Sequence, residues 1–268
     1  MGTRTRTPGD LLRNWRQFRR ISQLDLALNA DVSTRHISFI ETGRSQPSRN
    51  MLLHLAEQLD IPLRDRNDLL VAAGYAPVYS DVSLDDPARN AAREAIDMVL
   101  TGHEPYPAIA IDRHWNLVNA NRAIGILLEG IAPEMLEPPV NVLRLSLHPE
   151  GLAPRILDPA PWRRHVRSLL RRQIERTADP MLSDLYDEVS GYPVQSFASG
   201  EEILNEESTA GGLVIPLRIQ SSLGILSFFS TTTIFGAAHD VTLAELAIES
   251  FFPADAATSG ALIRSSQR

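Results

Sequence analysis

The 268-residue sequence contains no cysteine and no lysine, and all 26 of its basic side chains are arginines. Without cysteine there are no disulfides, thiolate zinc sites or thiol nucleophiles, and a reducing cytoplasm is the natural compartment. Without lysine there is no Walker A phosphate loop, no Schiff-base chemistry and no serine-lysine hydrolase. The seven histidines are scattered, and no pair has the i, i+4 spacing of a zinc-binding helix. Neither G-x-S-x-G nor a glycine-rich dinucleotide loop occurs. No catalytic residue, metal ligand or resident cofactor is therefore assigned. No apolar run approaches the length of a membrane span. The opening MGTRTRTPGD lacks the apolar core of a secretion signal, and Arg6 stands where a myristoylation signal needs serine or threonine. The expectation is a cytoplasmic protein with no membrane partner.

The net charge of -7 argues against a nucleic-acid partner only if it is spread evenly, and it is not. Up to Val78 there are eleven arginines against eight acids; beyond it there are fifteen against twenty-five. A basic first domain followed by an acidic second one is the arrangement expected when only the first approaches phosphates. The length suits two modest domains, each with its own core.

What is present in the basic part is SQLDLALNADVSTRHISFIE, Ser22 to Glu41. Gln23, Ala27, Val32, Ile37 and Ile40 supply a polar tip, a small residue at a helix crossing, a turn anchor and two buried aliphatics, as two short, steeply crossed helices require. Ser33 is an N-cap for the second helix, which then presents Thr34, Arg35, His36 and Phe39 on its outer face.

On these residues, together with TGRSQPS (Thr42 to Ser48), the stretch resembles the helix-turn-helix of the phage-repressor-like (Xre) regulators. The family usually has glycine at the turn position held here by Asp31, and aspartate tolerates left-handed backbone better than most residues. The resemblance implies double-stranded operator DNA as partner. Gln23 and Arg44 are then expected at phosphates, Thr34 and Arg35, with His36 and Phe39, at base edges, and Ser33 at the cap that positions them. Arg35 is the candidate for a guanine contact, and His36 serves equally as a surface residue touching phosphate or water. Arg16 corresponds to the helix-one arginine that pairs with the glutamate at the end of the recognition helix, here Glu41.

Around the motif, residues 9–20 read as a first helix, Ser48 to Leu59 as a fourth and Pro62 to Ala73 as a fifth, with Gly74 as C-cap. Five helices over residues 1–78 make an all-α helix-turn-helix domain. Residues 79–102 read as a polar connector and a helix from Pro87 to about Thr101, either a lever or dimer face or simply a cover for the second domain. Residues 103–268 change period. PAIAID and LVNA alternate as two strands joined by a turn, Asn121 caps a helix, further helices run near 161–176 and 180–189, and LVIPLRI (213–219), GILSFFSTTTIF (224–235) and TLAELAIESFF (242–252) read as strands. The last of these also fits a helix, and the tail from Ala254 reads as a short helix or a frayed end. Two strands, helices, then three strands match the order of a PAS-like α+β fold with a five-stranded antiparallel sheet. The helix at 162–176 carries six arginines; it is a rival DNA contact, a partner surface or a solvated amphipathic face.

HEPYPAIAIDRHWNLVNANRA (103–123) and LGILSFFSTTTIFGAAHDVTLAELAIESFFPAD (223–255) resemble the ligand-binding half of the MmyB-like regulators, which carry such an N-terminal helix-turn-helix. That resemblance implies a pocket for a small apolar ligand, a fatty acid or similar lipid. Candidate walls are Ile109, Ile111, Leu117, Leu127, Leu128, Leu185, Leu226 and Phe228, each of which also serves as ordinary core, while Arg122 and Tyr186 are candidates for a carboxylate head group. The expected whole is a homodimeric, ligand-responsive transcription regulator whose half-sites lie one helical turn, roughly 34 Å, apart. A DNA-binding antitoxin or adaptor, and a haem- or flavin-bearing sensor or enzyme, are the alternatives.

Overall fold

The structure, a computed structural model, describes residues 6–84, 86–193, 216–235 and 240–267. The chain divides into two compact units, Met1–Ser83 with Gly236–Ala244, and Leu84–Phe235 with Glu245–Arg268.

Among the described residues, the N-terminal part of the first unit carries five helices, α1 (Pro8–Phe18), α2 (Gln23–Asn29), α3 (Thr34–Glu41), α4 (Arg49–Gln58) and α5 (Leu63–Ala72). Their starts are written into the sequence. Thr7 and Ser22 form reciprocal capping boxes with Asp10 and Asp25, and Ser33 and Ser48 accept hydrogen bonds from the His36 and Met51 amides, satisfying donors that a helix start leaves open. Leu12, Leu26, Ile37, Ile40, Leu52, Leu55 and Leu70 close a common core. Each fully buried aliphatic of this kind contributes roughly 1.5–3 kcal/mol. Asp31 takes the left-handed conformation, φ 52°, and the Val32 amide closes the turn on the Ala27 carbonyl at 2.9 Å.

One small residue, Gly9, lets α1 approach the end of α3 closely. A Cβ on Gly9 of α1 would lie 2.4 Å from the Ile40 carbonyl oxygen and 3.0 Å from that of Glu41, both backbone atoms that no rotamer change can move aside. Gly9→Ala is expected to force α1 from α3 and to lower stability by about 1–3 kcal/mol, seen as a lower urea midpoint at unchanged slope. An unchanged midpoint would mean that this approach is not tight in solution.

The second unit is α+β. Its helix α6 (Asn90–Gly102) precedes the hairpin β1 (Ala108–Ile111) and β2 (Leu117–Ala120). The helices α7 (Gly125–Leu128) and α8 (Val142–Leu147), the strand β3 (Ile156–Leu157) and the long helices α9 (Pro159–Thr177) and α10 (Pro180–Gly191) follow. After β4 (Leu217–Ser221) and β5 (Gly224–Ile234), a helical turn α11 (Val241–Ala244) belongs to the first unit, and β6 (Ala247–Pro253) and α12 (Ala256–Ser266) complete the second. Among the described residues the sheet has six strands in the order β2-β1-β6-β5-β4-β3, and all its pairs are antiparallel.

Six strands rather than five is a correction. The extra one, β3, is two residues long and pairs Ile156 with Ile219 and Leu157 with Arg218. A two-residue segment behind Pro154 is too short to show any alternation. The run expected as one strand from 242 to 252 divides between α11 and β6. Of the run at 213–219, residues 213–215 lie outside the described residues. The tail is a helix capped by Asp255, which accepts from the Thr258 amide.

Over β1 and β6 the sheet is covered on both faces, while Arg218 and Gln220 on one face of β4 are exposed. Ala108, Ala110, Leu246 and Ile248 pack with Ile96 and Leu100 of α6, while Ile109, Ile111, Ile219, Phe228 and Phe251 face a second core with Leu127, Leu145 and Leu262. A third cluster joins α8, α9 and α10 through Leu143, Val166, Leu170, Leu182 and Leu185. The arginines of α9 largely serve this unit itself. Arg163 donates to the carbonyls of Val189, Ser190 and Tyr192 at the end of α10, a cation where helix carbonyls are left open. Arg167 and Arg171 donate to the Tyr186 hydroxyl, and Arg172 to Ser168.

Candidate DNA interface and ligand cavity

Helix α3 places its apolar side, Ile37 and Ile40, in the core and leaves Arg35 exposed, with Thr34, His36 and Phe39 partly exposed. The Phe39 ring carries two cations, with the Arg35 guanidinium 5.0 Å and the Arg44 guanidinium 6.0 Å from its centroid. Cation–π contacts at exposed sites are worth about 0.5–1 kcal/mol each, enough to bias flexible arginines toward one orientation. Arg35, Phe39 and Arg44 are thus brought together. Ser33 is placed at the helix start, its hydroxyl accepting from the His36 amide at 3.2 Å.

Gln23 is engaged within the domain. Its amide donates to Glu41 Oε2 at 2.8 Å. Glu41 is buried and also receives Arg16 Nε on Oε1 at 2.6 Å, Arg16 Nη2 on Oε2 at 3.0 Å and Arg13 Nε on Oε2 at 3.4 Å. Arg13 Nη2 further donates to the Glu41 carbonyl. One carboxylate at the end of the recognition helix therefore ties α1 and α2 to α3. Burial pushes the Glu41 carboxyl up, but hydrogen bonds from Arg16, Gln23 and Arg13 outweigh it and hold the group below the usual carboxylate range. The family resemblance implied the Arg16 pairing; the parts of Arg13 and Gln23 arise from side-chain reach across helices, which spacing does not encode.

In the second unit a cavity of about 90 Å³ lies between the inner face of the sheet and α7, α8 and α9. Ile109, Leu117, Leu127 and Leu128 line it, together with Trp115, Val142, Leu145, Trp162 and Phe251. The structure places Ile111, Leu226 and Phe228 in the same core but not on the cavity wall, and Leu185 in the α8–α10 cluster. Neither candidate head-group residue reaches it. Arg122 is exposed, and Tyr186 sits between two arginines, Arg167 and Arg171, 5.4 and 5.7 Å from its ring centroid. Their hydrogen bonds lower the Tyr186 hydroxyl below its ordinary value.

The polar groups at the cavity are Ser146, His165 and Glu249. Glu249 Oε2 accepts from the Thr232 hydroxyl at 2.7 Å. Burial, with Arg172, lowers His165 from its ordinary value, against the pull of Glu249. Sequence reasoning passed over this set. The available signal was Glu249 itself, a charge on the same side of the strand as Ala247 and Phe251.

Compared with known proteins, residues 92–264 match the family model of the MmyB-like transcription regulator ligand binding domain, and residues 12–65 match a helix-turn-helix family. No curated protein matches. A solved structure described as "Structure of an RNA-binding Light-Oxygen-Voltage Receptor" is 14% identical, with a TM-score of 0.28 over 96% of this chain. The alignment spans 62% of that chain, and the likeness is too loose to bear on fold or function. Among the described residues, no helix is long and apolar enough to cross a membrane.

Proposed function

Because the chain belongs to the MmyB-like transcription regulators, with a helix-turn-helix matched ahead of the ligand-binding domain, we propose that it is a cytoplasmic, homodimeric repressor or activator whose operator binding is set by a small apolar ligand of the fatty acid or similar lipid class. The observation that carries this reading is the cavity, walled by aliphatic and aromatic side chains with only a few polar groups, the usual make-up of a small-molecule site. At about 90 Å³ it is smaller than the roughly 300 Å³ at which drug-sized pockets begin. A long ligand must therefore displace partly buried wall residues such as Leu128 and Leu136. The PAS-like reading of the domain rests on its order, a hairpin, then helices, then antiparallel strands returning beside the hairpin.

The mechanism is a population shift. Ligand binds better to one arrangement of the protein and so changes how much of it presents two recognition helices at half-site spacing. Linkage then requires saturating operator to change ligand affinity by the same factor as ligand changes operator affinity. Calorimetric titration of ligand with and without operator tests it, and identical isotherms refute it.

For the DNA contact, Arg35→Ala is expected to cost about 1–3 kcal/mol on operator and to relax specificity at one base pair, whereas Arg44→Ala weakens all sequences alike and lowers the salt slope by about one. Equal losses on operator and random DNA for Arg35→Ala would remove Arg35 from base reading.

A further inference from the structure

Helix α9 has a cavity on each of two flanks. Trp162, His165 and Val166 line the inner one, whereas Arg163, Arg164 and Arg167 line an outer recess of about 250 Å³. At 3.6 residues per turn these three arginines fall within an arc of about 100°. The other walls of the recess are apolar, among them Leu147, Ala153 and Pro159. Its volume approaches the roughly 300 Å³ from which small-molecule sites extend upward.

The charge in this recess is unbalanced. Acids outnumber arginines in the chain beyond Val78, yet among the described residues no carboxylate lines the recess. Arg163 and Arg167 turn Nη2 to carbonyl and hydroxyl oxygens, those at the end of α10 and that of Tyr186. Arg164 is exposed and has no partner among the described residues. Burial and the neighbouring charge of Arg167 lower the Arg163 guanidinium from its ordinary value, so an anion beside the two relieves a repulsion that the fold leaves standing. A carboxylate offsets one of three cations. A phosphate monoester brings nearly two charges at neutral pH and three acceptor oxygens for the guanidinium forks. The apolar walls add nothing for a bare ion and favour an organic body.

We propose that this recess is a second ligand site, which takes a soluble phosphate monoester with a small apolar body: Arg163, Arg164 and Arg167 hold the phosphate, and Leu147, Ala153 and Pro159 receive the body. The site is separate from the inner cavity and independent of what that cavity binds.

Phenyl phosphate, benzoate, inorganic phosphate and phenol separate the head from the body. Calorimetric titration of the full chain at about pH 7.5, where the monoester is mostly dianionic, is expected to give phenyl phosphate at least about tenfold tighter binding than each of the others. Arg164→Gln, which breaks no hydrogen bond among the described residues, should weaken it by about tenfold. Arg172→Gln, on the same helix but off the recess, and Leu127→Ala, on the inner wall, should leave it within about twofold. Melting curves establish that the variants are folded.

Equal losses in Arg164→Gln and Arg172→Gln would reduce the arginines to a diffuse charge and overturn the site. A loss in Leu127→Ala as large as in Arg164→Gln would move the ligand to the inner cavity and also overturn it. Benzoate or inorganic phosphate binding as tightly as phenyl phosphate overturns the assigned class. Vesicles of phosphatidylcholine and phosphatidate present the same head group on a lipid; co-sedimentation that Arg164→Gln abolishes, without binding of phenyl phosphate, would overturn the soluble ligand in favour of a membrane surface. Absence of phenyl phosphate binding overturns the proposal and leaves the reading of the inner cavity untouched.

Discussion

Glu41→Ala is expected to lower the stability of the helix-turn-helix unit by about 3–5 kcal/mol, the range for removing one partner of a buried ion pair, and to take DNA binding with it. The Glu41 side chain is wholly buried, and that of Arg16 is 12% exposed. Once the carboxylate is gone, the Arg16 guanidinium keeps its bond to the Ile21 carbonyl but loses the charge that offset its burial. Gln23 and Arg13 lose their shared acceptor at the same time. The loss therefore reaches three helices.

The pH dependence follows from the direction of the shift. Glu41 is held below the ordinary carboxylate range when folded, so its stabilisation is present above the unfolded-state value of roughly 4.3 and is lost as pH falls through the folded value. Thermal melts of the full chain should show the first unit weakening with acid, and Glu41→Gln should flatten that dependence while lowering stability at neutral pH. Equal acid sensitivity in the two proteins would assign the effect to other carboxylates.

The first unit was legible because its sequence signals are local. Ser22 with Asp25, Ser33 and Ser48 mark helix starts by hydrogen bonds three residues long, and Asp31 marks the turn because few residues accept positive φ. The Arg16–Glu41 pair was expected from the family resemblance rather than from local signals. What stayed hidden there was competition for a shared partner. Gln23 was expected at a phosphate from the family resemblance, and the fold shows its amide donating to Glu41.

The second unit was less legible for a different reason. Alternation in a strand reveals which side is buried only when the other side meets water. In β6 both sides are covered, with Ile248 toward α6 and Phe251 toward the inner core. Period two could not say which side held Glu249, and a glutamate alternating with apolar residues is by default given to solvent. The number of strands failed on β3, and the cavity wall failed on residues from α8 and α9, such as Val142 and Trp162, whose approach to the sheet depends on tertiary packing alone. Arg122 and Tyr186 were named for the chemistry of a carboxylate, and neither lines the cavity.

Phe228 separates core from ligand wall. It is fully buried on β5, opposite Leu217 of β4 and Pro253 of β6, with its ring edge-on to Phe251 at 6.2 Å and 78°. Leu217 and Phe251 line the cavity while Phe228 stands among them without lining it. Phe228→Ala is expected to cost the second unit about 3–5 kcal/mol, from lost burial and an incompletely collapsed void, a fall on the order of 10 °C in Tm. The informative quantity is the rise in Tm produced by an apolar ligand at one fixed concentration, which grows with affinity for the folded state. A residue behind the wall lowers the baseline and leaves that rise near its original size, whereas a residue on the wall lowers both. Leu127→Ala, which does alter the wall, provides the contrast: its ligand-induced rise should shrink. A rise lost in Phe228→Ala and kept in Leu127→Ala would relocate the ligand to the β4–β5–β6 side of the core.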